Sequence, residues 1–173
     1  MNSFIFNNPV KLHVGPGKFA LLGSIAQQYG KKALLVVSDN TKSTGLLARA
    51  QETLAAAGVA FAVYDKFMQN PLSTLVEAGA EMARQEQCDL VIGIGGGSAM
   101  DMAKGIAFCA CNPGSIWDYV FGKAQAQNAL PNILVPTTAG TGTEANRPAV
   151  FSNQETHDQK GRGNPVYLPL ATE

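Results

Sequence analysis

The sequence predicts an α/β domain: a parallel sheet with helices on both faces. Three observations carry this. Strand-like and helix-like patterns alternate along the 173 residues, and a helix between successive strands supplies the crossover that parallel pairing needs. Runs such as Leu34-Leu35-Val36-Val37 are apolar without alternation, as expected of strands covered on both faces. Residues 93–104 read G-I-G-G-G-S-A-M-D-M-A-K, where an apolar run enters three consecutive glycines and a helical pattern leaves them.

The elements follow in order. Residues 3–6 and 10–14 read as two short strands broken by Asn7-Asn8-Pro9. Residues 17–29 carry Phe19, Leu21, Leu22, Ile25 and Ala26 at helical spacing. A buried strand is predicted over 33–37. A helix over 43–57 places Leu46, Leu47, Ala50, Leu54 and Ala57 on one face, and Gly58 stops it. A strand over 59–64 follows, then a helix over 72–86 opened by Asn70-Pro71. Residues 89–94 form the strand before the glycines and 98–110 the helix after them. Residues 116–120 read as one helical turn and 132–135 as a further strand ended by Pro136. The polar segment 152–164 reads as a surface loop.

Composition narrows the function. A hydrophobic content of 46% against 15% charged residues fits a folded α/β domain rather than a disordered chain. The formal net charge is zero, and without a basic run no electrostatic attraction to nucleic acid or to an anionic membrane is expected. No apolar stretch reaches the roughly 18–20 residues of a membrane span, and the first residues lack a basic n-region, so no signal peptide is read. Cys88, Cys109 and Cys111 are an odd set, read as reduced thiols of a cytoplasmic protein. Cys109-Ala-Cys111 reads as small packing residues, because no second Cys/His pair stands at zinc spacing.

The glycine stretch is the centre of the chemistry. Without a Cβ, glycine lets backbone N–H groups approach a phosphate closely. A helix opening there adds unpaired N–H groups and the positive end of its dipole. Gly96, Gly97 and Ser98 therefore suit the diphosphate of a dinucleotide, although a tight strand-to-helix turn with no ligand has the same pattern. Asp101 and Lys104 fall on one side of the opening helix. Asp101 reads either as a ligand contact or as a first-turn acid favoured by the dipole.

Ligands of parallel α/β sheets bind outside the carboxyl ends of the strands, which collects residues far apart in sequence. Asp39 follows the strand 33–37, Asn70 the strand 59–64, and Thr137, Thr138 and Thr141 the strand 132–135. Asp39 reads as a ribose acceptor that would repel a 2′-phosphate and favour NAD over NADP, or as a helix cap or turn residue. The threonines read as phosphate or nicotinamide contacts, or as a Thr/Gly-rich turn. The order is unusual, because the ordinary dinucleotide fingerprint has its acid about 20 residues after the glycines, and here the acid precedes them.

These residues resemble the iron-containing, or group III metal-dependent, alcohol dehydrogenases. The resemblance runs through K-L-H-V-G-P-G at 11–17, V-V-S-D at 36–39 and Q-N-P at 69–71. It continues through D-L-V-I-G-I-G-G-G-S-A-M-D-M-A-K at 89–104 and V-P-T-T-A-G-T-G-T-E at 135–144. It implies a Rossmann-like domain of the dehydroquinate synthase type spanning 1–173, the nucleotide-binding half of an NAD(P)-dependent oxidoreductase for small alcohols or aldehydes. It also implies a homodimer. Asp39 would meet the adenosine ribose. Asn70, Gly96, Gly97, Ser98 and Asp101 would surround the diphosphate and the nicotinamide side, and Thr137, Thr138 and Thr141 would complete the cleft. Lys160 is the candidate for a cofactor-contacting lysine in a polar hairpin.

The family's divalent metal, iron or zinc, would be held by one Asp and three His of a helical second domain. This chain has two histidines, His13 and His157. That domain is read as absent from the chain, no catalytic or metal-ligating residue is assigned within it, and the chain alone is expected to be inactive. A non-catalytic nucleotide-binding module, or a glycerol dehydrogenase or dehydroquinate synthase relative, stands as the alternative.

Overall fold

A computed structural model describes residue 8, residues 10–153 and, as backbone, residues 159–162. Four strands form one parallel sheet in the order β2-β1-β3-β4, from β1 (Lys32–Val37), β2 (Ala60–Tyr64), β3 (Leu90–Gly95) and β4 (Asn132–Pro136). The chain passes from β1 outward to β2, then returns across β1 to β3. The connections therefore diverge between β1 and β3, and the carboxyl ends of those two strands flank a crevice.

Alternate residues of each strand feed two separate cores. Leu34, Val36, Val91 and Leu134 pack on one face with α4 (Ser73–Gln85), α5 (Gly97–Cys111) and α6 (Ile116–Val120). Ala33, Leu35, Val37, Leu90, Ile92 and Ile133 pack on the other with α1 (Leu22–Ala26) and α3 (Leu46–Ala56). This two-faced burial is why the strands lack polar alternation. The helix α5 is buried along most of its length. Small residues make that possible: a Cβ on Gly105 would lie 2.7 Å from Val76 Cγ1 and 2.8 Å from Phe151 Cζ.

The predicted strands at 33–37, 59–64, 89–94 and 132–135 all form, each within a residue or so. Other expectations need correction. The helix predicted over 43–57 forms as α3 but starts three residues later, set off from the short α2 (Asn40–Ser43) by Gly45 at φ 74°. That left-handed residue breaks the turn. The helix predicted over 17–29 is a 3₁₀ turn (Lys18–Leu21) followed by the short α1.

Residues 10–14 form no strand. No described strand pairs with them, and β propensity without a partner makes no ladder. Leu12 and Val14 are 51% and 81% exposed. His13 therefore lies in no strand. The segment 152–164 is not all loop, because β5 (Ala149–Ser152) pairs antiparallel with β6 (Gln159–Arg162). The strand predicted at 3–6 and the residue His157 fall outside the described residues.

Candidate functional site

The carboxyl ends of β1, β3 and β4 meet through main-chain bonds. Ser38 N–H donates to Ile94 O at 3.2 Å, and Thr137 N–H donates to Gly95 O at 2.8 Å. Gly95 has φ 156°, and a Cβ there would lie 2.7 Å from both Ala99 Cβ and Ser38 Oγ. The chain turns sharply at that point and enters α5 through Gly96, whose backbone is extended and which has no side-chain cap. The N–H groups of Gly97 and Ser98 have no acceptor within the helix, so the α5 N-terminus presents donors and a positive dipole end.

The threonine segment forms the wall of this cradle. A Cβ on Gly96 would lie 3.4 Å from Thr138 Oγ1, and one on Gly97 would lie 3.2 Å from Thr141 Cγ2. Thr137, Thr138 and Thr141 are exposed, whereas Thr143 is buried. The fold thus brings Gly96, Gly97, Ser98, Thr137, Thr138 and Thr141 to one crevice.

Asp39 lies exposed at the end of β1, on the other side of the switch point. It precedes α2 but makes no side-chain cap bond, so the capping reading finds no support. Asn70 lies exposed past β2, one strand further out, with φ 51°. Lys160 lies on β6 opposite Phe151, and only its backbone is described.

Asp101 sits one turn into α5 and is 8% exposed. Its Oδ2 accepts the Val150 N–H at 3.1 Å, and no partner lies in hydrogen-bond geometry at Oδ1. Burial pushes its carboxyl above the ordinary range, against the opposing pull of the Val150 N–H, the Lys104 charge and the Thr143 hydroxyl. Neither the ligand-contact nor the first-turn reading of Asp101 includes this hold on β5.

Lys104 is the residue whose part the sequence reading missed. It is fully buried, and its Nζ donates to Asn146 O at 2.7 Å, Asn146 Oδ1 at 3.2 Å and Pro148 O at 3.0 Å. Burial lowers its pKa to about 8, against the attraction of Asp101 and Glu144. The available signal was a lysine inside the apolar helix A-M-D-M-A-K-G-I-A-F.

A cavity of about 400 Å³ lies between Leu12–Gly15, α1, β4 and Glu144. His13 lines it. Among the described residues no group of three His, Cys, Asp or Glu side chains could hold a metal ion.

Fold and edge define a class: a parallel α/β domain with a glycine cradle at its switch point. A profile of the family described as iron-containing alcohol dehydrogenase matches residues 9–172, and the chain belongs to that family. It is 35% identical over 170 residues to NADH-dependent butanol dehydrogenase A of Clostridium acetobutylicum, covering 98% of this chain and 44% of the relative. It is 38% identical over 146 residues to 1,3-propanediol dehydrogenase of Klebsiella pneumoniae, covering 82% of this chain and 38% of the relative. The solved structure of NADH-dependent butanol dehydrogenase A from Thermotoga maritima superposes with a TM-score of 0.90 at 32% identity, covering 98% of this chain and 43% of that one. Sulfoacetaldehyde reductase from Bifidobacterium kashiwanohense, solved in complex with NAD+, gives 0.85 at 32% identity, covering 98% and 45%. The chain thus spans less than half the length of these relatives.

Proposed function

We propose that the crevice binds NAD and that the chain is the dinucleotide-binding part of an oxidoreductase interconverting small alcohols and aldehydes. One observation carries the reading: glycines 95–97 open a long helix at the switch point, with space that a Cβ would fill and a wall of exposed threonine side chains. The family and its NADH-dependent relatives support it.

In this reading the N–H groups of Gly97 and Ser98 hold the diphosphate. Asp39 accepts from the adenosine ribose, and its charge disfavours a 2′-phosphate, so NAD is preferred to NADP. Thr137, Thr138 and Thr141 line the nicotinamide side, with Asn70, Asp101 and Lys160 completing the cleft. When bound, NAD supplies the hydride acceptor or donor, and the protein's part is to orient it and limit water. The described residues do not fit the divalent metal of the family, because no donor cluster exists among them.

We propose also that the protein acts in the cytoplasm as a homodimer. The family resemblance supports this, and no helix of the described residues is long and apolar enough to cross a membrane. Sedimentation of the chain with and without residues 1–8 tests the dimer, and an unchanged mass counts against a role for that end. The binding reading is tested by calorimetric titration with NAD, ADP-ribose and NADP. We expect saturable binding of NAD, competition by ADP-ribose and weaker binding of NADP. Absence of saturable NAD binding by the folded chain overturns the reading.

A further inference from the structure

The wall facing the glycines is tied down at its two ends, and both ties lead back to the same strand-helix unit. At its start, Thr137 N–H donates to Gly95 O. At its far end, Lys104 holds the Asn146 and Pro148 carbonyls, and Asp101 holds the Val150 N–H. Between these ties Thr143 is buried with its hydroxyl acting on Asp101, and the other side-chain bonds are long: Thr143 N to Thr141 Oγ1 at 3.4 Å, Thr141 Oγ1 to Glu144 Oε2 at 3.5 Å and Asn8 Nδ2 to Ala145 O at 3.4 Å. Gly140 and Gly142, both at positive φ, add backbone freedom.

We propose that Lys104 is a positioning residue: its ammonium clamps the 146–148 segment to the glycine helix, and so fixes the threonine wall that a dinucleotide needs. The proposal rests on the NAD reading. Lys104 is fully buried and acts through the segment rather than by touching the ligand. The donor count is the core of the argument. An ammonium has three N–H donors and no acceptor, and three oxygens surround it. A neutral amine has two donors and a lone pair, so deprotonation leaves one oxygen facing that lone pair. Among the described residues the charged groups acting on Lys104 are Asp101 on its own helix and Glu144 on the adjoining 3₁₀ turn (Thr143–Ala145). Both favour the ammonium, and burial opposes them, bringing the titration to about 8.

Binding and stability then move in opposite directions with pH. The Lys104 pKa lies below that of an unfolded lysine, so between about 8 and 10.5 the unfolded chain binds more protons. The burial cost of the ammonium is fully present below 8 and is lifted across that window. This group therefore makes the fold more stable as pH rises, while its release loosens the wall.

The test is NAD titration of the chain from pH 7 to 9.5, with thermal unfolding at each pH, in the parent, Lys104→Met and Asn146→Ala. We expect the parent's affinity to fall roughly tenfold across the range. Lys104→Met should bind about tenfold more weakly at pH 7, with a flat pH profile. It should also exchange the amides of 149–152 faster, and the parent-minus-variant difference in unfolding temperature should rise with pH. Asn146→Ala removes one acceptor and should lie between; with the parent's own profile it keeps the test decisive if Lys104→Met does not fold. If the parent binds NAD with no pH dependence, or the folded variants bind as the parent does, the positioning role is overturned and the NAD reading stands. A folded parent that does not bind NAD at pH 7 overturns the NAD reading, and the positioning role with it.

Discussion

The two ends of the parallel sheet carry similar chemistry and use it differently. Each has a glycine, an aspartate and backbone N–H groups close together. At the amino end, the Asp89 carboxylate accepts the N–H of Lys31 at 2.9 Å and of Lys32 at 2.8 Å. Gly30 makes room for it, since a Cβ there would lie 2.4 Å from Asp89 Oδ1. The Lys32 ammonium bonds Glu86 at 2.7 Å. At the carboxyl end, Asp39 is exposed and caps nothing with its side chain, and the glycines face a crevice lined by exposed threonine side chains. A glycine beside an acid is therefore not yet a site. What separates the two ends is whether the fold itself uses up the polar groups, because only groups left over can be offered to a ligand.

The sharpest way to break this comparison is Gly97→Val. Gly97 is helical and not at positive φ, so its backbone accepts a side chain. Its Cβ would start 3.2 Å from Thr141 Cγ2, and the two further methyls would occupy the space in front of the helix N-terminus. We expect at least a ~100-fold loss of NAD affinity, about 2.7 kcal/mol, with the unfolding temperature little changed. Calorimetry beside thermal melting checks it. Unchanged affinity would mean that the carboxyl-end glycines serve the fold alone, as Gly30 does.

The complementary change is Asp89→Ala at the other end. It frees the donors of Lys31 and Lys32, one of them partly buried, and should cost about 2 kcal/mol of stability. Urea unfolding measures that loss. The folded variant should bind NAD as the parent does, because the whole length of β1 and β3 separates the two ends. A parallel fall in affinity would show that the ends are coupled.

The four sheet strands were readable because burial on both faces leaves apolar runs, such as residues 33–37, that need no knowledge of their neighbours. The strand order was not readable. That β3 lies beside β1 comes from the register Ala33 to Leu90 through Val37 to Ile94, and only this order brings Asp39 and the glycines to the same crevice. The strand β5 escaped notice for a related reason. Its four residues follow Pro148, and they are held by contacts remote in sequence, Phe151 against Gly105 and Val150 against Asp101. The acceptors of Lys104 lie 42 and 44 residues away, so its anomalous charge was visible but its purpose was not. Residues 10–14 failed in the opposite sense, since their local pattern was strand-like and no described strand supplies a partner.

The smallest expected effect concerns the unused carboxylate itself. Asp39 stands at the end of β1, across the switch point from the glycines, with its side chain in solvent. If it accepts from the adenosine ribose, Asp39→Gly removes one charge-assisted hydrogen bond to NAD. The same change removes the repulsion felt by a 2′-phosphate in NADP. Unit charges about 4 Å apart in bulk water interact by only about 1 kcal/mol, and a hydrogen bond to a charged group is worth about 1.5–3 kcal/mol net when buried, less in solvent. The ratio of NAD to NADP affinity should therefore fall by roughly tenfold, not abolish binding. The repulsive part is screened beyond about 10 Å at 0.1 M salt, so the parent's discrimination should narrow as salt is added and the variant's should not. Paired titrations with NAD and NADP at low and high salt measure both. A variant that keeps the parent's preference and its salt dependence would place Asp39 with the turn residues, and the carboxyl end would then owe its selectivity to the glycines and threonines.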